Sequence, residues 1–204
     1  MCYFHKELKN LCNLPLKLYK HIIDAVKSSS PCIILSGGEP FIHPDLIKMV
    51  TYAKECGLPV QIFTNGTIVK PYLVDVLVDI GLDYIDFTLL GNEKSHSQIA
   101  QVANSYERFI KNLEYFSKNR GSTKIILNYT ITPQALKDIN HAVELVNRYN
   151  LDGLRIQHYN FLFPEEFEAQ NQIMQKLFGM DANTHEIEEV KDVSSMAEYL
   201  IGFK

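Results

Sequence analysis

No Cys-x-x-Cys pair occurs anywhere in this chain of 204 residues. Its four cysteines, Cys2, Cys12, Cys32 and Cys56, are widely spaced. That argues against a zinc ribbon and against a disulfide scaffold, which is normally shorter and cysteine-dense. Long apolar runs are also lacking, and none approaches the length of a membrane span. The N-terminus carries charge where a signal peptide would be apolar. Basic charge is not in excess: 20 Lys and Arg stand against 24 Asp and Glu, for a net charge of −4. Nucleic acid is therefore disfavoured as the main partner. No internal repeat or low-complexity linker is evident. What remains is ordinary globular usage, 46% hydrophobic and 22% charged, in a size that fits one domain or one plus a short appendage. A soluble, cytoplasmic protein with no membrane partner is expected.

The middle of the chain alternates between two patterns. Pro31–Ser36, Val60–Thr64, Tyr84–Leu89, Lys124–Thr130 and Gly153–His158 read as short strands, apolar on both faces, as suits strands covered on one side by helices and on the other by more protein. Cys32 and Cys56, in apolar surroundings, are expected in the core. Helical patterns lie between the strands. Pro44 suits a first helical turn, with Leu46, Ile47, Val50 and Ala53 following and Gly57 as the stop. Pro71 opens another helix, with Leu73, Val76, Leu77 and Ile80 inside, and Tyr106–Asn119 forms a third. After Pro133, Leu136, Ile139, Val143 and Val146 line one helix face. Strand–helix alternation at these lengths means parallel pairing through right-handed crossovers. A doubly wound sheet and a (β/α) barrel, whole or partial, both satisfy it, and both bind ligands at the carboxyl ends of the strands.

The residues after the strands are small, polar and glycine-rich: Ser36-Gly37-Gly38-Glu39-Pro40, Thr64-Asn65-Gly66-Thr67, Thr88-Leu89-Leu90-Gly91, Asn128-Tyr129-Thr130 and Gln157-His158-Tyr159. The paired glycines let backbone groups approach a ligand closely. Glu39 offers a carboxylate to an amino group, and Pro40 stiffens the exit. The stretch is neither a P-loop nor a GxGxxG fingerprint. A tight turn with a solvated glutamate accounts for it equally well.

The stretch ILSGGEPFIHPDLIKMVTYAKECGLPVQIFTNGT strongly resembles the radical S-adenosylmethionine (radical SAM) superfamily, in which Gly-Gly-Glu-Pro ends the second strand and Thr-Asn-Gly often ends the third. The similarity runs over about residues 1–162. It implies a partial (β/α) barrel of parallel strands, about five of six present, with a C-terminal helical extension over 163–204. The family signature, Cys-x3-Cys-x2-Cys, holds three irons of a 4Fe-4S cluster that binds SAM. Met1-Cys2-Tyr3-Phe4 looks like the end of that loop, with Cys2 in the place of the third cysteine. The first two cysteines and the strand before them are absent, and Cys12 lies on the wrong side of Cys2. The resemblance thus points to an N-terminally truncated member. It is expected to carry no stoichiometric cluster, to be inactive in this form, and to expose a sheet edge open to self-association.

By the same resemblance, Gly37, Gly38 and Glu39 match the segment that meets the SAM amino group, with Pro40 shaping the turn. Phe4 matches a position whose backbone meets the adenine. Thr64, Asn65 and Gly66 lie near the ligand. Thr88 and Asn128 fall where polar residues reach the ribose or carboxylate, and Arg155 and Gln157 where adenine or carboxylate contacts occur. Other readings stay open. Thr88 and Thr130 are good β-formers, Asn65-Gly66 is a turn signal by itself, and Arg155 suits a structural ion pair. His5, Cys2 and Cys12 make only an incomplete zinc set. His43 suits a turn-ordering role, and His96 and His158 lie near loop or strand ends. The implied activity is reductive cleavage of SAM and hydrogen abstraction from an unknown substrate, fed by an electron donor such as a flavodoxin or ferredoxin. The alternative is a SAM-binding or protein-interaction module without the cluster.

Overall fold

The computed structural model describes residues 13–131 and 135–158, with the single position 172. The chain divides into two compact units, Met1–Gln157 and His158–Lys204. The first unit holds every strand and helix named here except the last residue of the final strand, His158. Apart from position 172, the helices expected over 163–204 lie outside the described residues, as does Pro133.

Helix α1 (Leu16–Val26) leads into strand β1 (Ile33–Leu35), then α2 (Leu46–Glu55), β2 (Val60–Thr64), α3 (Pro71–Ile80) and β3 (Tyr84–Leu89). Helices α4 (Glu93–Ala100) and α5 (Ser105–Asn119) precede β4 (Lys124–Ile131), and α6 (Ile139–Arg148) precedes β5 (Gly153–His158). The five strands form one parallel sheet in the order β1-β2-β3-β4-β5. That order decides between the two architectures the sequence left open. A doubly wound sheet reverses its strand order at a switch point. Here each strand joins its immediate predecessor, so successive right-handed crossovers stay on one face. The sheet is a partial (β/α) barrel, with helices outside and a concave face inside.

Three helix ends are closed by one repeated device. Gly57, Gly81 and Asn150 have φ of 76°, 83° and 48°. The next residues, Leu58, Leu82 and Leu151, return their N–H to Ala53, Leu77 and Val146 O at 3.0 Å each. This is a Schellman stop, and its hydrophobic residue is buried in each case. An aspartate follows two of these leucines. Asp83 accepts from Val60 N at 2.8 Å and Lys54 Nζ at 2.6 Å. Asp152 accepts from Ile125 N at 2.8 Å and Arg120 Nη1 at 2.7 Å. Each ties the start of one strand to the end of a helix and to the neighbouring strand.

Alternation along the strands then sorts the two faces. Ile85, Phe87 and Leu89 of β3 and Ile125, Leu127 and Tyr129 of β4 are completely buried in the helix-side core. Phe87 meets Phe109 and Phe116 of α5 edge-on, both at 5.9 Å between centroids. Each such side chain contributes about 1.5–3 kcal/mol by leaving water. The intervening residues face the concave side, and register pairs Phe63 with Asp86 and Thr88 with Asn128.

Several expectations need correction. Cys32 is exposed and Cys56 only half-buried. The first strand has three residues, so Cys32 precedes it, while Cys56 occupies the end of α2. Ile34 is 55% exposed, because it faces the concave side of a strand at the end of the sheet. Pro44 lies in the turn before α2, which begins at Leu46. Val76 and Val143 point outward, and the buried faces are Val74 and Leu77 of α3 and Ala142 and Leu145 of α6. Helix α3 carries apolar residues around much of its circumference, so packing rather than pattern chooses its face, whereas the apolar stripe of α6 is one-sided and Val143 sits at its outer rim. Helix α4 was missed. Its signal was Asn92, whose side chain caps it by accepting from Lys94 N and Ser95 N.

Candidate functional site

The carboxyl ends of β1 and β2 are joined by Glu39. Its side chain is only 8% exposed. Oε1 accepts from Thr64 Oγ1 at 2.8 Å and Phe41 N at 3.1 Å, and Oε2 accepts from Asn65 N at 2.8 Å. Burial pushes its pKa up, while the donors from Asn65, Thr64 and Phe41 pull it back. The carboxylate is therefore a clamp between two loops, not a solvated turn residue. Thr64 Oγ1 also accepts from Gly66 N at 3.0 Å. Asn65 Oδ1 closes a local turn by accepting from Thr67 N at 2.8 Å and Thr67 Oγ1 at 2.6 Å.

Gly66 has φ of 72°, and a Cβ there would lie 2.8 Å from Phe109 Cδ2 and 2.9 Å from Phe87 Cδ1. The fold itself requires this glycine. Gly37 and Gly38 differ, since a Cβ at either would meet nothing within 4 Å. Their backbone borders open space. Pro40 is buried and opens the short turn Pro40–Ile42, which Glu39 caps. His43 Nδ1 accepts from Asp45 N at 3.1 Å and Nε2 faces Leu14 O at 3.2 Å, ordering the turn before α2.

Thr88 and Asn128 stand side by side on the concave face. Asn128 is 3% exposed. Its Oδ1 is buried without a hydrogen-bond partner, a state shared with Tyr19 Oη and Ser105 Oγ. The latter two lie on helices, so Asn128 holds the one such atom on the concave side of the sheet among the described residues.

One further cluster escaped the sequence reading. Asp86 in β3 is wholly buried, with Gln61 Nε2 donating to Oδ2 and Arg155 Nη1 to Oδ1. Burial raises the Asp86 pKa, while Gln61 and Arg155 lower it. The Arg155 guanidinium also lies over the Phe63 ring, 5.4 Å from its centroid. The signal was present: an aspartate in Tyr-Ile-Asp-Phe-Thr-Leu contradicts strand preference, and a buried carboxylate needs partners. The structure thus groups Gly37–Pro40 with Thr64–Gly66, Thr88 with Asn128, and Arg155 with Asp86. Gln157 is exposed on β5. Cys2, Phe4, His5 and Cys12 lie outside the described residues, as does the His158 side chain.

The family model of the radical SAM superfamily matches residues 1–146. The chain belongs to the radical SAM superfamily. It is 31% identical over 147 residues to an AdoMet-dependent heme synthase of Methanosarcina barkeri, covering 71% of this chain and 41% of that protein. It is 28% identical over 140 residues to an Fe-coproporphyrin III synthase of the same organism, covering 68% and 35%. The fold matches SuiB of Streptococcus suis with a TM-score of 0.68 at 18% identity, over 95% of this chain and 41% of that one. The chain thus spans about two fifths of these relatives.

Membership in this radical SAM family implies SAM and a 4Fe-4S cluster. The concave face fits SAM: it offers an orphaned acceptor at Asn128 and open backbone at Gly37-Gly38. Cluster ligands are not found among the described residues, which contain no group of three or more His, Cys, Asp or Glu placed to hold a metal ion. No described helix is long and apolar enough to cross a membrane.

Proposed function

We propose that this chain is the SAM-binding barrel of a cytoplasmic radical SAM enzyme acting on a small or peptide substrate. One observation carries the reading. Asn128 Oδ1 is buried, unpartnered and beside Thr88 on the concave face. An unpaired buried acceptor costs about 1–3 kcal/mol, and a ligand N–H or O–H offsets that cost. The ribose hydroxyls or amino group of SAM supply such donors. Gly37 and Gly38 offer backbone groups to the same ligand, and the Glu39 clamp fixes the Thr64–Gly66 loop beside them.

The chemistry a 4Fe-4S cluster supplies in this family is the single electron that cleaves SAM, delivered from a donor such as a flavodoxin or ferredoxin. What the described residues do is bind and orient SAM and shield it from water. Residues 1–162 form the barrel in this reading and 163–204 a helical extension. Cys2 is a cluster ligand and Phe4 an adenine contact. The outer edge of β1, beside exposed Ile34, is where association with a further strand is expected. The names of the relatives from Methanosarcina make a tetrapyrrole one candidate substrate.

Calorimetric titration with SAM tests the reading. Wild type binds, and Asn128→Leu loses at least about tenfold in affinity while unfolding at higher denaturant, by about 1 kcal/mol. Equal SAM affinity in both, or a destabilised variant, overturns the role of Asn128. Iron analysis after anaerobic reconstitution separates the two forms of the proposal. About four irons per chain supports catalysis, and SAM binding without iron supports a binding module.

A further inference from the structure

The Asp86–Arg155 pair has no part in the SAM cradle described above. Its geometry is unusual for a structural ion pair. Asp86 is fully buried, yet the Arg155 side chain is 43% exposed. Burying a charge pair rarely outperforms apolar residues of the same volume, and Ile126 shows that this face accepts apolar side chains at the level of Asp86. The arrangement does something an apolar pair would not: it fixes a guanidinium in place. Asp86 holds Nη1, and Gln61 holds the other oxygen of Asp86. The Phe63 ring supports the guanidinium at 5.4 Å. Three strands, β2, β3 and β5, thus position one cation.

That cation lies on the concave face. Asp152 N donates to Ile125 O at 2.9 Å, and a Cβ on Gly153 would lie 3.2 Å from Ile126 Cδ1. Arg155 reaches Asp86 and Phe63, which pair in register on that face, and Thr88, two residues beyond Asp86 in β3, pairs with Asn128. The guanidinium has further N–H donors beyond the one spent on Asp86, and no described residue takes them. A planar fork with free donors is suited to a carboxylate or phosphate.

We infer that Arg155 reads the substrate: held by Asp86 and Phe63, it binds an oxyanion group, carboxylate or phosphate, on the molecule that enters the barrel beside SAM. Asp86 is a positioning residue and acts only through Arg155. This assignment rests on the reading of the concave face as the reaction chamber, and it takes Arg155 away from the cofactor.

The test is titration of the full chain with two charged probes and their uncharged counterparts: coproporphyrin III against its tetramethyl ester, and GTP against guanosine. SAM is titrated separately. Wild type is expected to bind at least one charged probe ten times or more tighter than its counterpart, and the successful probe tells carboxylate from phosphate. Arg155→Lys, which keeps a charge opposite Asp86, weakens that preference severalfold. The Asp86→Asn/Arg155→Gln double variant, which leaves no unpaired charge, abolishes it. Asp86→Asn alone reduces it, since the fork is no longer held. SAM affinity stays unchanged in all three. The inference is overturned if neither charged probe is preferred, if the double variant keeps the preference, or if the variants lose SAM along with the probe. Failure of wild type to bind SAM, with the charge preference intact, overturns the SAM reading and not this one.

Discussion

Replacing Gly66 by alanine tests whether this position serves the fold. Two costs add. The backbone has φ of 72°, and holding an alanine in the left-handed region costs about 1–2 kcal/mol. The new methyl carbon would also sit 2.8 Å from Phe109 and 2.9 Å from Phe87. Those rings cannot withdraw. Both are completely buried, and Phe87 is held edge-on between Phe109 and Phe116. Forcing a methyl into such packing costs about 1–3 kcal/mol. The sum is a destabilisation of about 2–5 kcal/mol, a large share of the ~5–15 kcal/mol that holds a typical domain. Urea unfolding of Gly66→Ala against wild type measures it. Gly66→Asn divides the two costs, because asparagine tolerates the left-handed region but carries the same Cβ. It should recover most of the backbone cost and none of the clash. A loss below about 0.5 kcal/mol in Gly66→Ala would refute the reasoning, since neither strain nor overlap would then be felt.

Gly38→Ala should behave oppositely. Its Cβ meets nothing within 4 Å, so stability should stay within about 0.5 kcal/mol while SAM affinity falls about tenfold or more. A stability loss with SAM affinity unchanged would make it a folding glycine. Thr64→Val removes a donor to Glu39 and the acceptor for Gly66 N, and should cost about 2–3 kcal/mol in urea unfolding. Thr64→Ser, which keeps the hydroxyl, should lose far less, and equal losses would exclude the Glu39 clamp as the cause. His96 is 2% exposed, and burial lowers its pKa to about 4. Unfolded, it takes up a proton near pH 6.5, so between about pH 6.5 and 4 the unfolded chain binds more protons and stability falls as pH falls. Wild type should lose roughly 3 kcal/mol more than His96→Gln across that window. Parallel stability profiles would remove His96 as the source.

Much of this molecule is written in local sequence. All five strands were legible because short apolar runs ended in glycine or polar residues. Three helix stops were legible in part, since Gly57 and Gly81 mark a left-handed cap while Asn150 does the same work without glycine. The family was legible because Gly37–Pro40 and Thr64–Gly66 stand at a fixed separation, with one helix between them. What a side chain touches across the sheet was not legible. Glu39 looked equally like a ligand contact and a solvated turn residue, and only the approach of the β2 loop makes it a buried clamp. Asp86 looked like a stray charge in a strand until Gln61 and Arg155 were brought to it from residues 25 and 69 positions away. Local pattern fixes which residues become helix or strand, because propensity, capping and turn chemistry act over a few residues. Strand order, the choice of buried face on α3, and the pairing of charges inside the barrel depend on contacts between distant segments, which come together only when the sheet closes around them.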